Sequence, residues 1–135
     1  MKNLLLAIVL ISIGMVGFAQ ETVFPEGTKP ASTNIPGADY PRIDSLRRVH
    51  FKLRAPDATS ISVSLGNVAL TKGEDGFWTG ITKPQDPGFH YYTLKINGVD
   101  VADPLSETFY GASKVMSGIE IPEEGVDFYD IKNVP

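Results

Sequence analysis

Cysteine is absent from this chain of 135 residues. No disulfide framework can hold it, no thiolate zinc site is available, and no cysteine offers itself for a lipid anchor. Histidine is almost as scarce, with two residues, His50 and His90. His50 falls on the outward side of an early strand and His90 at the start of a later one, and both read as ordinary strand residues. No G-x-S-x-G elbow and no S-x-x-K motif occurs, so nucleophilic catalysis lacks its nucleophile, its base and its orienting group. Asp100 with Asp103, or Asp127 with Asp130, would be the carboxylate pairs. They lie at loop ends and read as turn formers, not as two acids facing one another across a cleft. No glycine-rich phosphate loop precedes a helix. The sequence therefore predicts no catalytic residue, no metal and no cofactor in this chain.

Positive charge is also in short supply. Lys and Arg total 12 against 16 Asp and Glu, a net charge of −4, with no basic stripe. Nucleic acid and anionic membrane surfaces are therefore poor partners for such a chain.

Long apolar runs are missing except at the start. Leu4 to Val16 is apolar apart from Ser12 and Gly14, and is shorter than the roughly 20 residues a membrane helix needs. Lys2 precedes it, and Gly17-Phe18-Ala19 places small residues at a cleavage site. Residues 1–19 are expected to be a signal peptide cut after Ala19, giving a secreted or periplasmic protein with no membrane anchor after cleavage. Residues 20–44 carry Pro25, Gly27, Pro30, Pro36, Gly37 and Pro41, which break every periodic run. A disordered Pro/Gly-rich tether is the expectation there.

From Arg48 the pattern has period two. Val49, Phe51 and Leu53 alternate with His50, Lys52 and Arg54; Ile61, Val63 and Leu65 alternate with Ser60, Ser62 and Ser64. Such alternation marks half-buried strands. Val68 to Leu70, Phe77 to Thr82, Phe89 to Ile96, Val99 to Ala102 and Val115 to Ile121 read as further strands. Asn97-Gly98 supplies a tight hairpin turn. Seven or eight short strands at intervals of roughly ten residues, with no helical stretch, predict an all-β sandwich over residues 45–122. Residues 123–135 read as the start of a linker towards a further domain, with Val126, Phe128, Tyr129 and Ile131 needing a neighbour to cover them.

What the chain does have is aromatic side chains. Phe77, Trp78, Phe89, Tyr91, Tyr92, Phe109 and Tyr110 fall within 34 residues. Sugars stack their C–H faces on such rings. Alternation points Tyr92, Leu94 and Ile96 inward with His90, and Phe89, Tyr91, Thr93 and Lys95 outward. Trp78 reads as a core anchor, with an outward position as the alternative. The candidate residues for carbohydrate binding or docking are Trp78, Phe89, Tyr91, Thr93, Lys95 and Asp100.

Several motifs carry a resemblance. Val49-x-Phe51-x-Leu53-x-Ala55-Pro56-x-Ala58, Asp75-Gly76-Phe77-Trp78, Pro87-Gly88-x-x-x-Tyr92-x-Leu94-x-Ile96-Asn97-Gly98 and Asp103-Pro104 resemble the family 48 carbohydrate-binding module, over about residues 47–121. The resemblance implies an immunoglobulin-like (E-set) β-sandwich. The glycogen-binding members carry a Trp shortly after the hairpin Gly, a Lys after the core Tyr and an Asn near the last strand. Val99 or Asp100, Thr93 and Ser117 stand at those places here, so the resemblance implies the fold and not glycogen or starch as ligand.

A narrower set, Asp39-Tyr40-Pro41-Arg42-Ile43-Asp44 leading into Arg48-Val49, Gly88-Phe89-His90-Tyr91-Tyr92, Phe109-Tyr110-Gly111 after Asp103-Pro104, and Ser117-Gly118-Ile119-Glu120-Ile121-Pro122, is similar to the N-terminal domain of bacterial carbohydrate esterase family 1 proteins, the feruloyl and acetyl xylan esterases. That likeness implies a non-catalytic accessory domain that binds xylan-type glycan, docks on a following α/β-hydrolase domain, or both, with docking expected as the larger role of the outer aromatic face. A free-standing secreted glycan-binding or structural sandwich is the alternative.

Overall fold

Period-two alternation of β-branched and aromatic residues gives strands throughout the computed structural model, which describes residues 23–125. The strands are β1 (Thr28–Pro30), β2 (Arg42–Asp44), β3 (Val49–Arg54), β4 (Ile61–Val63), β5 (Val68–Ala69), β6 (Thr71–Lys72), β7 (Phe77–Ile81), β8 (Gly88–Tyr92), β9 (Leu94–Ile96), β10 (Val99–Val101), β11 (Thr108–Gly111) and β12 (Lys114–Ile121). A 3-10 turn at Leu65–Asn67 is the only helical element among the described residues. All pairings are antiparallel. They build a five-stranded sheet in the order β1-β2-β3-β7-β6, a four-stranded sheet β10-β9-β4-β5 and a three-stranded sheet β11-β12-β8.

The five-stranded sheet forms one layer of a β-sandwich, and the two smaller sheets form the other. Phe51 of β3 and Tyr92 of β8 meet across the interior with ring centroids 5.4 Å apart, edge to face. Val49, Val63, Leu94, Ile119 and Ile121 fill the space around them, each with almost no exposed surface. The expected all-β sandwich is therefore present, with twelve strands rather than seven or eight. The additional ones are mostly two or three residues long, too short to show a period.

Two expectations change. Residues 28–44 of the expected tether are part of the sandwich. β1 and β2 pair with each other, and β2 continues the sheet by pairing with β3. Pro41 is fully buried, and Ala31 and Ile43 join the core. Pro30 is tolerated because β1 is an edge strand, where a missing N–H breaks no ladder, and Pro25, Pro36 and Pro41 fall outside the strands. The expected signal segment 1–19 and the aromatic tail from Val126 lie outside the described residues.

The stretch Phe89 to Ile96, expected as one strand, is divided between the two smaller sheets. Thr93 is the point of division. Its N–H donates to Ser64 Oγ at 2.8 Å, and the Ser64 N–H donates to the Thr93 carbonyl at 3.0 Å. Those bonds pin Thr93 to the end of β4. β8 before it pairs with β12, and β9 after it pairs with β4 and β10. The β9–β10 turn follows the sequence reading. Asn97 and Gly98 both have positive φ, 49° and 85°, as a type I′ hairpin requires.

Candidate functional site

The outer face of the sheet β11-β12-β8 is set by register. Tyr91 lies opposite Gly118 and Phe89 opposite Glu120; Phe109 lies opposite Met116 and Gly111 opposite Lys114. One side of the sheet therefore presents three rings and two glycines. Phe89 packs edge to face against both Tyr91 and Phe109, with centroids 5.1 Å apart in each pair, and Tyr91 and Phe109 are 6.5 Å apart. The glycines let ring atoms approach the backbone closely. A β-carbon at Gly118 would stand 2.5 Å from Phe89 Cζ and 2.6 Å from Phe109 Cε2, and one at Gly111 would stand 2.8 Å from Tyr91 Cζ. The result is an aromatic platform. Phe89 and Tyr91 keep 43% and 46% of their surface exposed, whereas Tyr92, the next residue, is fully buried.

A groove of about 220 Å³ adjoins this platform. Ser62, Ser64, Asn67, Thr93, Lys95, Asp100, Lys114 and Met116 line it. Its floor is the outer face of the four-stranded sheet, where Lys95 is in register with Ser62 on one side and Asp100 on the other. Met116 and Lys114 belong to both surfaces, because they share the face of β12 that carries Gly118. Asp100 spans the seam between the sheets, 3.8 Å from Lys95 Nζ and 3.8 Å from Lys114 Nζ.

Five of the six candidate residues fall in this region. Phe89 and Tyr91 are outward as expected. Lys95 and Asp100 are exposed on the groove. Thr93 lines the groove too, but it is buried and not outward-facing, because its backbone is drawn in to Ser64. Trp78 does not join them. It is 5% exposed, and its indole N–H donates to the Ala55 carbonyl at 2.8 Å, so it is the core anchor. Alternation along single strands missed Phe109, Lys114 and Met116, which reach the site from β11 and β12. The signal available for them was the glycine at Gly118 inside a strand, since such a glycine marks close approach of another group.

The remaining polar residues divide sharply by environment. His50 is buried, contrary to the outward reading, because the turn after β2 folds over it; its Nε2 lies 2.9 Å from Asp44 Oδ2. Burial would raise the Asp44 carboxyl. Hydrogen bonds from His50, from the Arg48 side chain and from the backbone N–H groups of Arg48 and Leu46 outweigh it and hold the group down at about 2. Asp103, read as a turn former, is a buried hub. Tyr92 donates to it and so does the Leu105 N–H, yet burial still pushes its carboxyl up. Asp100 and Asp103 thus sit in unlike surroundings and do not act as a pair.

A second groove, of about 320 Å³, lies on the five-stranded side beside Phe24, Tyr40 and Phe77. Its rings are already covered by cations: the Arg42 guanidinium is 4.1 Å from the Phe24 centroid, and Lys52 Nζ is 4.8 Å from that of Phe77. Among the described residues no three His, Cys, Asp or Glu side chains come together as a metal site.

No family model matches the chain. Among curated proteins, it is 44% identical over 106 residues to a protein of Xylanibacter ruminicola described as an endo-1,4-beta-xylanase/feruloyl esterase. The aligned region is 74% of this chain and 15% of that protein. The chain thus spans a small part of that protein's length.

Proposed function

We propose that this chain is a non-catalytic accessory domain of an exported xylan-degrading hydrolase, and that it holds xylan-type glycan on the aromatic platform. The observation that carries this reading is the platform itself: Phe89, Tyr91 and Phe109 laid across Gly118 and Gly111, continuous with a polar groove. Rings supply flat apolar area for the C–H faces of sugars, and the groove supplies hydroxyls, an amide and charges for their hydroxyl groups. Ligand sites commonly combine apolar walls with a few convergent polar groups in this way. The match to a small part of a larger xylanase/feruloyl esterase supports an accessory role, as does the likeness of its motifs to the family 48 modules and to the front domains of family 1 carbohydrate esterases. Secretion or periplasmic location rests on the apolar segment before Ala19.

Exposed rings also suit docking on a catalytic α/β-hydrolase domain, since interface cores are rich in aromatics. Continuity with the polar groove favours glycan. A free-standing secreted binding protein would use the same surface.

Affinity electrophoresis of this chain in gels containing soluble xylan tests the reading. Retardation by xylan, lost in a Phe89→Ala/Tyr91→Ala double variant that still unfolds in one cooperative urea transition, is the expected result. Mobility that no xylan alters would overturn it.

A further inference from the structure

The groove beside the platform carries two cations against one anion, in a protein whose net charge is −4. Lys95 and Lys114 flank Asp100, and all three side chains are about half exposed, at 55%, 49% and 46%. Each ammonium group is 3.8 Å from its Asp100 oxygen, beyond hydrogen-bond reach. Asp100 thus holds the two lysines near one another without consuming their donors. The carboxylate Glu120 shares the outer face of β12 but lies six residues from Lys114, about 20 Å along a strand. Along the outer face of β12 itself, the cation Lys114 stands at the groove end and the acid Glu120 at the end beside Phe89.

We propose that Lys95 and Lys114 receive the carboxylate of an acidic glycan, a xylan main chain bearing uronic acid branches, while Phe89, Tyr91 and Phe109 carry the neutral sugar rings. This rests on the glycan-binding reading and names the substrate class for that site. The groove geometry suits a branch: Ser62, Ser64 and Asn67 line it around the lysines and offer partners for the hydroxyl groups of a single sugar. Met116 lies between the groove and Phe109, its partner in register, so a main chain on the rings and a branch in the groove meet the protein side by side. A neutral ligand can accept hydrogen bonds from the lysines but forms no ion pair with them. An acidic one gains two charge-assisted contacts against the field of an otherwise acidic molecule.

The test compares three polymers in affinity gels: glucuronoxylan, the same glucuronoxylan after chemical reduction of its carboxyl groups, and neutral arabinoxylan. Free glucuronic acid, added as competitor, separates a uronate on the polymer from the free acid. The wild-type chain is expected to bind glucuronoxylan about fivefold more tightly than the reduced polymer, the worth of two exposed ion pairs. That preference should vanish in the Lys95→Gln/Lys114→Gln variant, and near 1 M salt, where the screening length falls to about 3 Å. Free glucuronic acid should compete only weakly, because it lacks the stacked rings. Equal binding of native and reduced polymer would overturn the proposal and leave the platform reading standing. So would a double variant that loses affinity for all three polymers alike, or competition by the free acid as effective as by the polymer. A wild-type chain retarded by none of them would overturn the platform reading as well.

Discussion

The Tyr92 hydroxyl donates to Asp103 Oδ2 across 2.8 Å, and neither residue is open to solvent, with 0% and 3% of their surfaces exposed. The bond joins β8 to the loop between β10 and β11. The same aspartate accepts from the Leu105 N–H at 2.9 Å, and its own N–H donates to Ser117 Oγ at 2.8 Å. One buried aspartate, through its carboxylate and its own N–H, thus organises the crossing of three chain segments. Tyr92→Phe keeps the ring against Phe51 and removes the donor, and should cost about 1–3 kcal/mol. Tyr92→Ala also empties the space and should cost about 3–5 kcal/mol. Tyr91→Ala, one residue away on the outer face, should stay below about 1.5 kcal/mol, the scale of an exposed aromatic pair. Urea melts of the three variants check the order; Tyr91→Ala proving the worst would reverse the assignment of inner and outer faces.

Acid should weaken the domain through Asp44. Its carboxyl titrates near 2 in the folded chain, below the ordinary 3.8, so the unfolded chain binds more protons between those values. The stability that Asp44 contributes is complete above about pH 4 and is lost as pH falls towards 2. Asp44→Asn should therefore cost about 1–3 kcal/mol at pH 7 and progressively less below pH 4. Urea midpoints of both proteins from pH 7 to pH 2 should converge at the acid end; a constant gap would contradict this. Asp103 has the opposite sign. Its raised carboxyl favours the folded chain below the ordinary range, and that advantage declines as pH rises through its folded value.

Gly118→Ala separates stability from binding. The clash would be with the ends of Phe89 and Phe109, at 2.5 and 2.6 Å, and both rings border solvent and can lift away. Stability should move by less than about 1 kcal/mol, while retention on xylan gels falls because the ring cluster is pushed away from the sheet. Full retention with the methyl present would mean that ring attitude does not matter to the ligand.

The hairpin between β11 and β12 carries local strain. Ala112 and Ser113 both adopt positive φ, at 49° and 64°, which L side chains with a β-carbon resist. Ala112→Asn with Ser113→Gly supplies residues suited to that turn and should raise stability by about 1 kcal/mol. A lower melting temperature in the double variant would contradict the turn geometry.

Several of these residues were legible beforehand. Asn97-Gly98 announced its turn because only such residues adopt two successive positive φ angles easily. Tyr92 and Leu94 declared themselves core, and Phe89 and Tyr91 surface, through simple alternation. Thr93 did not, because its position depends on Ser64, a partner 29 residues away that no local pattern reveals. The folding of residues 28–44 was hidden for a related reason: strands of three residues have no measurable period, and prolines read as breakers unless the strand is known to lie at an edge. Lys114 and Phe109 escaped notice because a site assembled across three strands is a property of register. His50 looked outward, which is correct for its strand, but the turn that covers it comes from earlier in the chain.

The division of the segment 88–96 at Thr93 has a mechanical consequence. Tyr91 belongs to the platform and Lys95 to the groove, and four residues of unbroken strand-like backbone connect them, at most about 13 Å. No hinge or long loop intervenes, and Thr93 is clamped in the middle by its two bonds to Ser64. The two halves of the surface therefore cannot slide relative to one another to suit a ligand. They act as a fixed ruler, and under the proposed glycan reading a sugar chain would meet a set distance between the ring cluster and the two ammonium groups.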